Sequence, residues 1–208
     1  MKKWVIKIGT SLLRGDKNSS TYDVINNCCT SISKAKKKGD KIILVSSGAV
    51  GLGCHKLKMN ERPKEMTSLQ ASAAIGQVHL MALYEKAMEK FNYNVAQVLL
   101  TRSELGSRNS YYSASKTLKK LLEWNVLPIV NENDIVSDEE LKYGDNDTLS
   151  ALVSTAISAD RLILLTDIDH LYSADPKINI NAKPIKEIHH SNELDALGLN
   201  FNQTSWGT

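Results

Sequence analysis

PIVNENDIVSDEELKYGDNDTLSA, residues 128–151, is the stretch that decides the fold of this chain. An apolar strand predicted at residues 126–130 runs directly into the polar residues NEND at 131–134. Further along, Gly144 precedes DND at 145–147, which opens a helix with an apolar face. A turn followed by a helix cap accounts for about half of these seven polar side chains. The carboxyl end of a strand and the amino end of a helix are where α/β proteins build sites, so we expect the others to serve one.

Bulk composition is that of an ordinary globular protein. The 208 residues are 42% hydrophobic and carry a formal net charge of +3. This length predicts a single domain over residues 1–208. The charge excess is small, and the lysine-rich run at residues 34–38 fits the last turn of a helix, where cations favour the helix dipole. We therefore expect no nucleic-acid partner.

The sequence also predicts where in the cell the protein is located. No apolar stretch approaches the length of a membrane span, and no signal-like segment opens the chain, so we expect no membrane partner. The three cysteines lack metal-ligand spacing and fit reduced thiols in a cytoplasmic protein.

Two further strands are followed by small or charged residues. Residues 4–8 form a short strand that contains Lys7 and stops at Gly9. On an edge strand this lysine is a solvated charge, whereas on a central strand it has to face a negative group. Residues 41–45 are nearly all Ile, Leu and Val, and a glycine-containing turn at residues 46–53 follows them. Such a turn lets backbone N–H groups converge on an anion, although it is neither a dinucleotide fingerprint nor a P-loop.

The remaining sequence alternates between helices and strands. Ser20 and Asp23 form a capping box before a helix that ends near Gly39. Residues 12–14 offer no helix cap. Further elements are helices at residues 69–91, 111–124 and 189–197, strands at 95–100 and 161–165, and polar loops at 15–19, 55–63 and 101–109.

This alternation predicts an α/β fold with a mostly parallel sheet sandwiched between helices. Each polar group directly follows a strand: Lys7 with Gly9, Ser47 with Gly48, residues 131–134, and Thr166 with Asp167. The carboxyl ends of parallel strands share one edge of a sheet, so we expect the four groups to meet there.

The chemistry of that edge favours phosphoryl transfer. A lysine, glycine-turn amides and carboxylates able to hold Mg²⁺ can position a donor and an acceptor and neutralise the transferring group. A small-molecule binding module would use the same side chains without reaction, and this alternative stays open. A nucleophilic triad is unsupported because Ser47 has no evident histidine partner, and the sequence offers no structural zinc pattern.

Five motifs carry a family resemblance. They are KIGTS at 7–11, VSSGA at 45–49, NEND at 131–134, GDND at 144–147 followed by LSA at 149–151, and LTD at 165–167 followed by LY at 171–172 and Ala-Asp-Pro at 174–176. Together they closely resemble the glutamate 5-kinases of the amino-acid kinase family, over essentially all 208 residues. The pairing of NEND with GDND is the most specific of these motifs, whereas many relatives share the lysine-glycine start.

The resemblance implies an amino-acid kinase (carbamate kinase-like) fold. It also implies ATP- and Mg²⁺-dependent transfer of the γ-phosphate to the side-chain carboxylate of L-glutamate, a first step toward proline. The implied catalytic residues are Lys7, which contacts the phosphates, and Asp147, which orients the lysine. The implied substrate-binding residues are Ser47, Gly48, Asn131, Asp134 and Asn146, with Asp134 facing the ammonium of glutamate. The implied nucleotide-binding residues are Lys7, Gly9, Thr166, Asp167 and Thr208, and no metal-ligating side chain is implied.

One departure from the family concerns the carboxyl terminus. The family continues into a glycine-rich nucleotide loop with a second lysine, and this sequence stops at Thr208, where that loop would begin. We therefore expect an incomplete domain, lacking the C-terminal part of the fold, with weak or absent ATP binding. Two alternatives stay open: an impaired form that binds glutamate or proline or serves as an assembly partner, and a family member with another acceptor. We also expect a homo-oligomer and proline as a feedback inhibitor.

Overall fold

A computed structural model of the chain describes residues 1–15, 18–137, 146–190 and 192–193. Its strands are β1 (Lys3–Ile8), β2 (Lys41–Val45), β3 (Val95–Leu100), β4 (Leu127–Glu132), β5 (Arg161–Leu165), β6 (Leu171–Tyr172) and β7 (Pro184–Ile185). Its helices are α1 (Thr10–Leu13), α2 (Thr21–Lys37), α3 (Ala49–Lys56), α4 (Met66–Glu89), α5 (Arg102–Gly106), α6 (Arg108–Glu123) and α7 (Asn146–Ile157). Across these described ranges, no helix is both long and apolar enough to cross a membrane.

Strands β1 to β5 form one sheet in the order β3-β4-β2-β1-β5. All four pairings between them are parallel. The short strands β6 and β7 pair separately and antiparallel. The predicted α/β fold with a mostly parallel sheet is therefore confirmed, and the strands that carry the polar groups all end at the same edge.

Strand β1 lies inside the sheet, between β2 and β5. Lys7 stands opposite Val45 on one side and Leu164 on the other. An interior strand does not expose its side chains along a solvated sheet edge, so the solvated-charge explanation for Lys7 does not apply.

Helices cover both faces of the sheet because its interior strands are apolar on both sides. Ile42 and Leu44 pack with helices α2 and α4 on one face, among residues such as Ile25 and Tyr84. Ile43 and Val45 pack with helices α5, α6 and α7 on the other face. These adjacent residues of β2 point alternately to the two faces, which produces three layers.

The amino and carboxyl ends of helix α2 follow local rules. Its capping box is complete: Ser20 accepts from the backbone N–H of Asp23, and the Asp23 carboxylate accepts from the backbone N–H of Ser20. At the other end the lysine run corresponds to the last turn, as predicted. Lys36 is not exposed as a lysine at a helix end usually is. It is buried, its ammonium lies 4.8 Å from the ring centre of Tyr93, and it donates to the Asn125 carbonyl at 3.2 Å.

Several loop predictions were wrong. The loop predicted at residues 101–109 contains helix α5 and the start of α6, since Thr101 and Glu104 form a second capping box. The glycine-containing turn at residues 46–53 becomes helix α3 from Ala49 onward and runs into the predicted loop at 55–63. Helix α1 forms without a side-chain cap. The helix predicted at residues 189–197 lies largely outside the described residues.

Helices α3 and α4 approach each other closely through two glycines. A Cβ atom on Gly53 would lie 1.8 Å from the Ser72 carbonyl oxygen, and one on Gly76 would lie 1.8 Å from the Ala49 carbonyl oxygen. Only a residue without a side chain fits at either position. This contact fixes helix α3, and with it the turn at its amino end, against the long helix α4.

Candidate active site

The polar residues that follow β1, β2 and β4 lie together at the carboxyl edge of the sheet. They are joined by helix α7, whose first residues, Asn146 and Asp147, contact groups on all three strand ends. The edge is therefore assembled by parallel register, which aligns the strand ends, and by one helix that begins above them.

Lys7 and Asp147 form an ion pair. The Lys7 ammonium nitrogen lies 2.6 Å from Asp147 Oδ1, and the lysine side chain is 4% exposed whereas that of the aspartate is 50% exposed. The lysine charge thus reaches the sheet edge from a buried strand and meets a carboxylate that is open to solvent. The structure answers the question that the sequence raised, since the central-strand lysine faces a negative group.

Asn146 is the centre of a buried hydrogen-bond cluster. Its Nδ2 donates to the Ser46 carbonyl at 2.6 Å, the Ser47 hydroxyl at 2.8 Å and Asn131 Oδ1 at 3.0 Å. Asn146 is 4% exposed and Asn131 is 3% exposed. One amide therefore holds together the ends of β2 and β4 and the amino end of α7.

Gly48 begins helix α3 at the end of β2. Its φ is +93°, which lies in the left-handed region that glycine adopts without strain, and it serves as the N-cap of the helix. Ser46, two residues before it, is fixed by a 2.8 Å hydrogen bond between its hydroxyl and that of buried Tyr84. The amino end of an eight-residue helix is thus directed at the same edge as the Asn146 cluster.

A cavity of about 180 Å³ opens beside this cluster. The predicted substrate-binding residues all line it, and they are Ser47, Gly48, Asn131, Asp134 and Asn146. The other lining residues include Thr10 and two arginines, Arg14 and Arg62. The size and mixed charge of the cavity suit a small zwitterion.

Asp134 lines this cavity and has a perturbed acidity. Burial, followed by the negative charge of Glu132, raises the pKa of the Asp134 carboxyl from 3.8 to about 6, and the nearby Arg62 opposes the rise. A partly desolvated carboxylate of this kind gains from a cationic ligand, because the ligand charge offsets the cost of keeping the aspartate ionised.

The predicted nucleotide residues that the structure describes, Lys7, Gly9, Thr166 and Asp167, do not line this cavity. Gly9 donates from its backbone N–H to the Leu165 carbonyl at 3.2 Å, which ties β1 to β5. Asp167 Oδ1 accepts from the hydroxyls of Ser11 and Thr166, each at 3.2 Å. Thr166 lines a separate, largely apolar groove of about 970 Å³. Thr208 lies outside the described residues.

Asp167 is held ionised by hydrogen bonds. Its own backbone N–H, assisted by the hydroxyls of Thr166 and Ser11, lowers the pKa of this exposed carboxyl. The β1 and β5 ends thus carry a second polar group, on the opposite side of Lys7 from the cavity.

Sequence reasoning missed Gln77 and Arg62. Gln77 lies on the core-facing side of α4, between buried Ala73 and Leu80, and is 8% exposed. A glutamine within an apolar stripe was the available signal. Arg62 lies in a segment of charged and polar residues that looks like any surface loop, so nothing local marked it.

The fold and site together define the class of protein. The amino acid kinase family matches residues 2–206, so the chain belongs to that family. Among solved structures, aspartate kinase from Synechocystis superposes with a TM-score of 0.59, covering 95% of this chain and 34% of that one. Its sequence identity is 16%, so this similarity shows the fold alone.

The most informative relatives are named glutamate 5-kinase. One from Prochlorococcus marinus is 76% identical over 208 residues, which is 100% of this chain and 58% of the relative. Another from Parasynechococcus marenigrum is 56% identical over 197 residues, covering 95% of this chain and 54% of the relative. The resemblance seen in the motifs is confirmed, and the chain spans somewhat more than half the length of these relatives.

Proposed function

We propose that this chain carries the acceptor site and the catalytic lysine of a glutamate 5-kinase, which transfers the γ-phosphate of ATP to the side-chain carboxylate of L-glutamate. The observation that carries the proposal is the placement of the Lys7–Asp147 pair next to Asn146, which also lines the small cavity. The names of the relatives supply the identity of the acceptor.

The cavity supplies partners for both ends of the amino-acid backbone. Asp134 faces the ammonium, since a partly buried carboxylate is stabilised by a cation. The α-carboxylate lies against Gly48 and the amino end of α3, where backbone N–H groups and the helix dipole favour an anion. Ser47 and Asn146 complete the contacts from the β2 and α7 sides.

The side-chain carboxylate of glutamate is the nucleophile. One of its oxygens forms a bond to the γ-phosphorus while the bond between that phosphorus and the β–γ bridging oxygen breaks, so ADP leaves with the electron pair. The carboxylate is already ionised at neutral pH, with an ordinary pKa of roughly 4.3, and needs no general base. A site without a placed histidine is therefore sufficient for this reaction.

Lys7 neutralises charge on the transferring group. Phosphoryl transfer depends mainly on positioning and on electrostatic stabilisation of the equatorial oxygens. Asp147 holds the ammonium at the sheet edge until phosphate oxygens compete for it. On the other side of Lys7, Gly9, Thr166 and Asp167 are proposed to contact the nucleotide. The same role is proposed for Thr208, which lies outside the described residues.

Mg²⁺ fits this site as a companion of the nucleotide. The described part of the chain contains no group of three or more His, Cys, Asp or Glu side chains that could hold a metal ion. Mg²⁺ in kinase sites is bound largely by substrate phosphates and water, with one or two carboxylates. Asp167, exposed and ionised, is the carboxylate suited to that role, and the ion would supply charge neutralisation of the phosphates.

Proline is a candidate inhibitor of the same cavity. It carries the ammonium and α-carboxylate of an amino acid but lacks the side-chain carboxylate that accepts phosphate. We therefore propose that it occupies the Asp134 and Gly48 side of the site in competition with glutamate.

The test is a two-part assay on the purified 208-residue chain. Titration calorimetry should detect binding of L-glutamate. L-Aspartate and uridylate are titrated as alternative acceptors. ADP release should then require L-glutamate together with Mg²⁺ and ATP, the ATP at high concentration because this chain is expected to bind it weakly. Binding of aspartate or uridylate in place of glutamate would overturn the acceptor assignment. Glutamate binding without any ADP release would overturn the transfer step for this chain.

A further inference from the structure

Gln77 contacts Asn131, which lines the candidate acceptor cavity. It is on helix α4, it is 8% exposed, and it is absent from the cavity lining. Its Oε1 accepts a 2.8 Å hydrogen bond from Asn131 Nδ2, which comes from a residue 54 positions further along the chain. A glutamine at an otherwise apolar core position costs stability unless its amide is hydrogen-bonded, so its partners are informative.

The side-chain amides around Gln77 form a row of hydrogen bonds in which each nitrogen donates to the oxygen of the next amide. Gln77 Nε2 donates to Gln97 Oε1 at 3.4 Å, and Gln77 Oε1 accepts from Asn131. The Asn131 amide is thereby turned so that its Oδ1 faces the site, where it accepts from the Glu132 backbone N–H at 3.0 Å and from Asn146 Nδ2 at 3.0 Å.

This row, together with Ser46 and Ser47, decides which atom Asn146 offers to a ligand. An asparagine side chain has nearly the same shape in its two flipped orientations, so its partners alone select one. Both hydrogens of Asn146 Nδ2 are committed to the strand ends, where Ser46, Ser47 and Asn131 provide the acceptors. Asn146 Oδ1 is then the group left to accept a hydrogen bond, as an ammonium ligand requires.

We propose that Gln77 is a positioning residue of the acceptor site. Together with the Glu132 backbone N–H, it holds the orientation of Asn131. Asn131 in turn reinforces the orientation that Ser46 and Ser47 give to Asn146, so that the cavity that Asp134 also lines presents acceptor oxygens. This inference rests on the proposed function, since the ligand ammonium is that of glutamate. Gln77 itself contacts no substrate.

The variant that isolates this role is Gln77→Met. Methionine has a similar length and volume but offers Asn131 Nδ2 no comparable acceptor, so the Asn131 side chain keeps only the hydrogen bonds to its Oδ1 and is held less firmly. L-Glutamate should bind roughly tenfold more weakly, the effect expected for losing one buried hydrogen bond that orients the site. Gln77→Glu keeps an oxygen that accepts from Asn131 and should bind more tightly than Gln77→Met.

A matched control is Ser115→Ala. The Ser115 hydroxyl is buried and donates at 2.6 Å to the Ala156 carbonyl, near the far end of helix α7 from Asn146. This variant also loses one buried hydrogen bond and should lower the melting temperature while leaving glutamate affinity within about twofold of the parent. Equal weakening of binding by Ser115→Ala and Gln77→Met would overturn the positioning role.

Side-chain amide NMR separates failure of this inference from failure of the proposed function. In the ligand-free chain, the Asn146 Nδ2 hydrogens should exchange slowly in the parent and in Gln77→Glu, and at least tenfold faster in Gln77→Met. Unchanged exchange or unchanged glutamate affinity in folded Gln77→Met would refute the positioning role. Absence of glutamate binding in the parent would refute the proposed function, while the exchange comparison would still test Gln77.

Discussion

Asp134→Asn should make the protein more stable and a worse glutamate binder at the same time. The pKa of this carboxyl rises from 3.8 to about 6 because the folded protein buries it and places it near Glu132. A raised carboxyl pKa means that the folded state binds the proton more tightly than the unfolded state. The stability that the protonated Asp134 carboxyl contributes to the folded state is therefore complete below pH 4 and is lost as the pH rises through about 6.

The size of the effect follows from that rise. Each pKa unit corresponds to about 1.4 kcal/mol, so the ionised carboxylate costs the native state up to about 3 kcal/mol at pH 8. Asp134 is only half-buried, and solvent screening reduces this figure to about 1–3 kcal/mol. Asparagine has the same shape without the charge, so the variant should gain this amount at pH 8 and almost nothing at pH 4.

Urea unfolding of the parent and of Asp134→Asn at pH 4 and pH 8 measures the difference directly. Subtracting the free energy of unfolding of the parent from that of the variant at each pH cancels the contributions of titrating groups that the two proteins share. Calorimetry at pH 8 should show that the variant loses at least tenfold in glutamate affinity, since the ammonium loses its carboxylate. A variant that is equally destabilised at both pH values, or that binds glutamate like the parent, would refute the reasoning.

Three other changes follow from the structure. Lys7→Met should abolish ADP release, and activity above a tenth of the parent would contradict the catalytic role. The same variant should lower the free energy of unfolding by less than about 1 kcal/mol, because the partner Asp147 is half exposed. Gly76→Ala should destabilise by about 1–3 kcal/mol in urea unfolding, since the new methyl group meets the Ala49 carbonyl, whereas Gly51→Ala, with open space, should stabilise slightly. Native Cys29 should resist thiol reagents at pH 8 until the protein unfolds, because burial raises its pKa to about 12.

The sheet could be predicted because its determinants are local. Buried parallel strands are continuous apolar runs, and residues 41–45 and 161–165 were predicted with the bounds that β2 and β5 have. The capping box before α2 likewise fixed its start. Parallel strand ends share an edge by geometry alone, so the meeting of the polar groups after β1, β2 and β4 followed from the order of elements.

The errors have equally physical causes. Helix α5 has only five residues, of which Leu105 is buried, so it shows no periodic stripe and its polar composition looked like a loop. The Asn131–Gln77 hydrogen bond joins positions 54 residues apart and leaves no local pattern. The acidity of Asp134 depends on burial and on neighbours in space, which no sequence spacing records. Such features require the folded coordinates.

The most direct measurement is an amide NMR titration of the chain with L-glutamate, with D-glutamate as the matched control. We expect saturable shifts in the backbone signals of Ser47, Gly48 and Asn131 and in the side-chain signal of Asn146, since all four residues line the cavity. Signals from the apolar groove around Trp4 should stay in place. Shifts confined to that groove, or no saturable shift with L-glutamate, would contradict the proposed acceptor site.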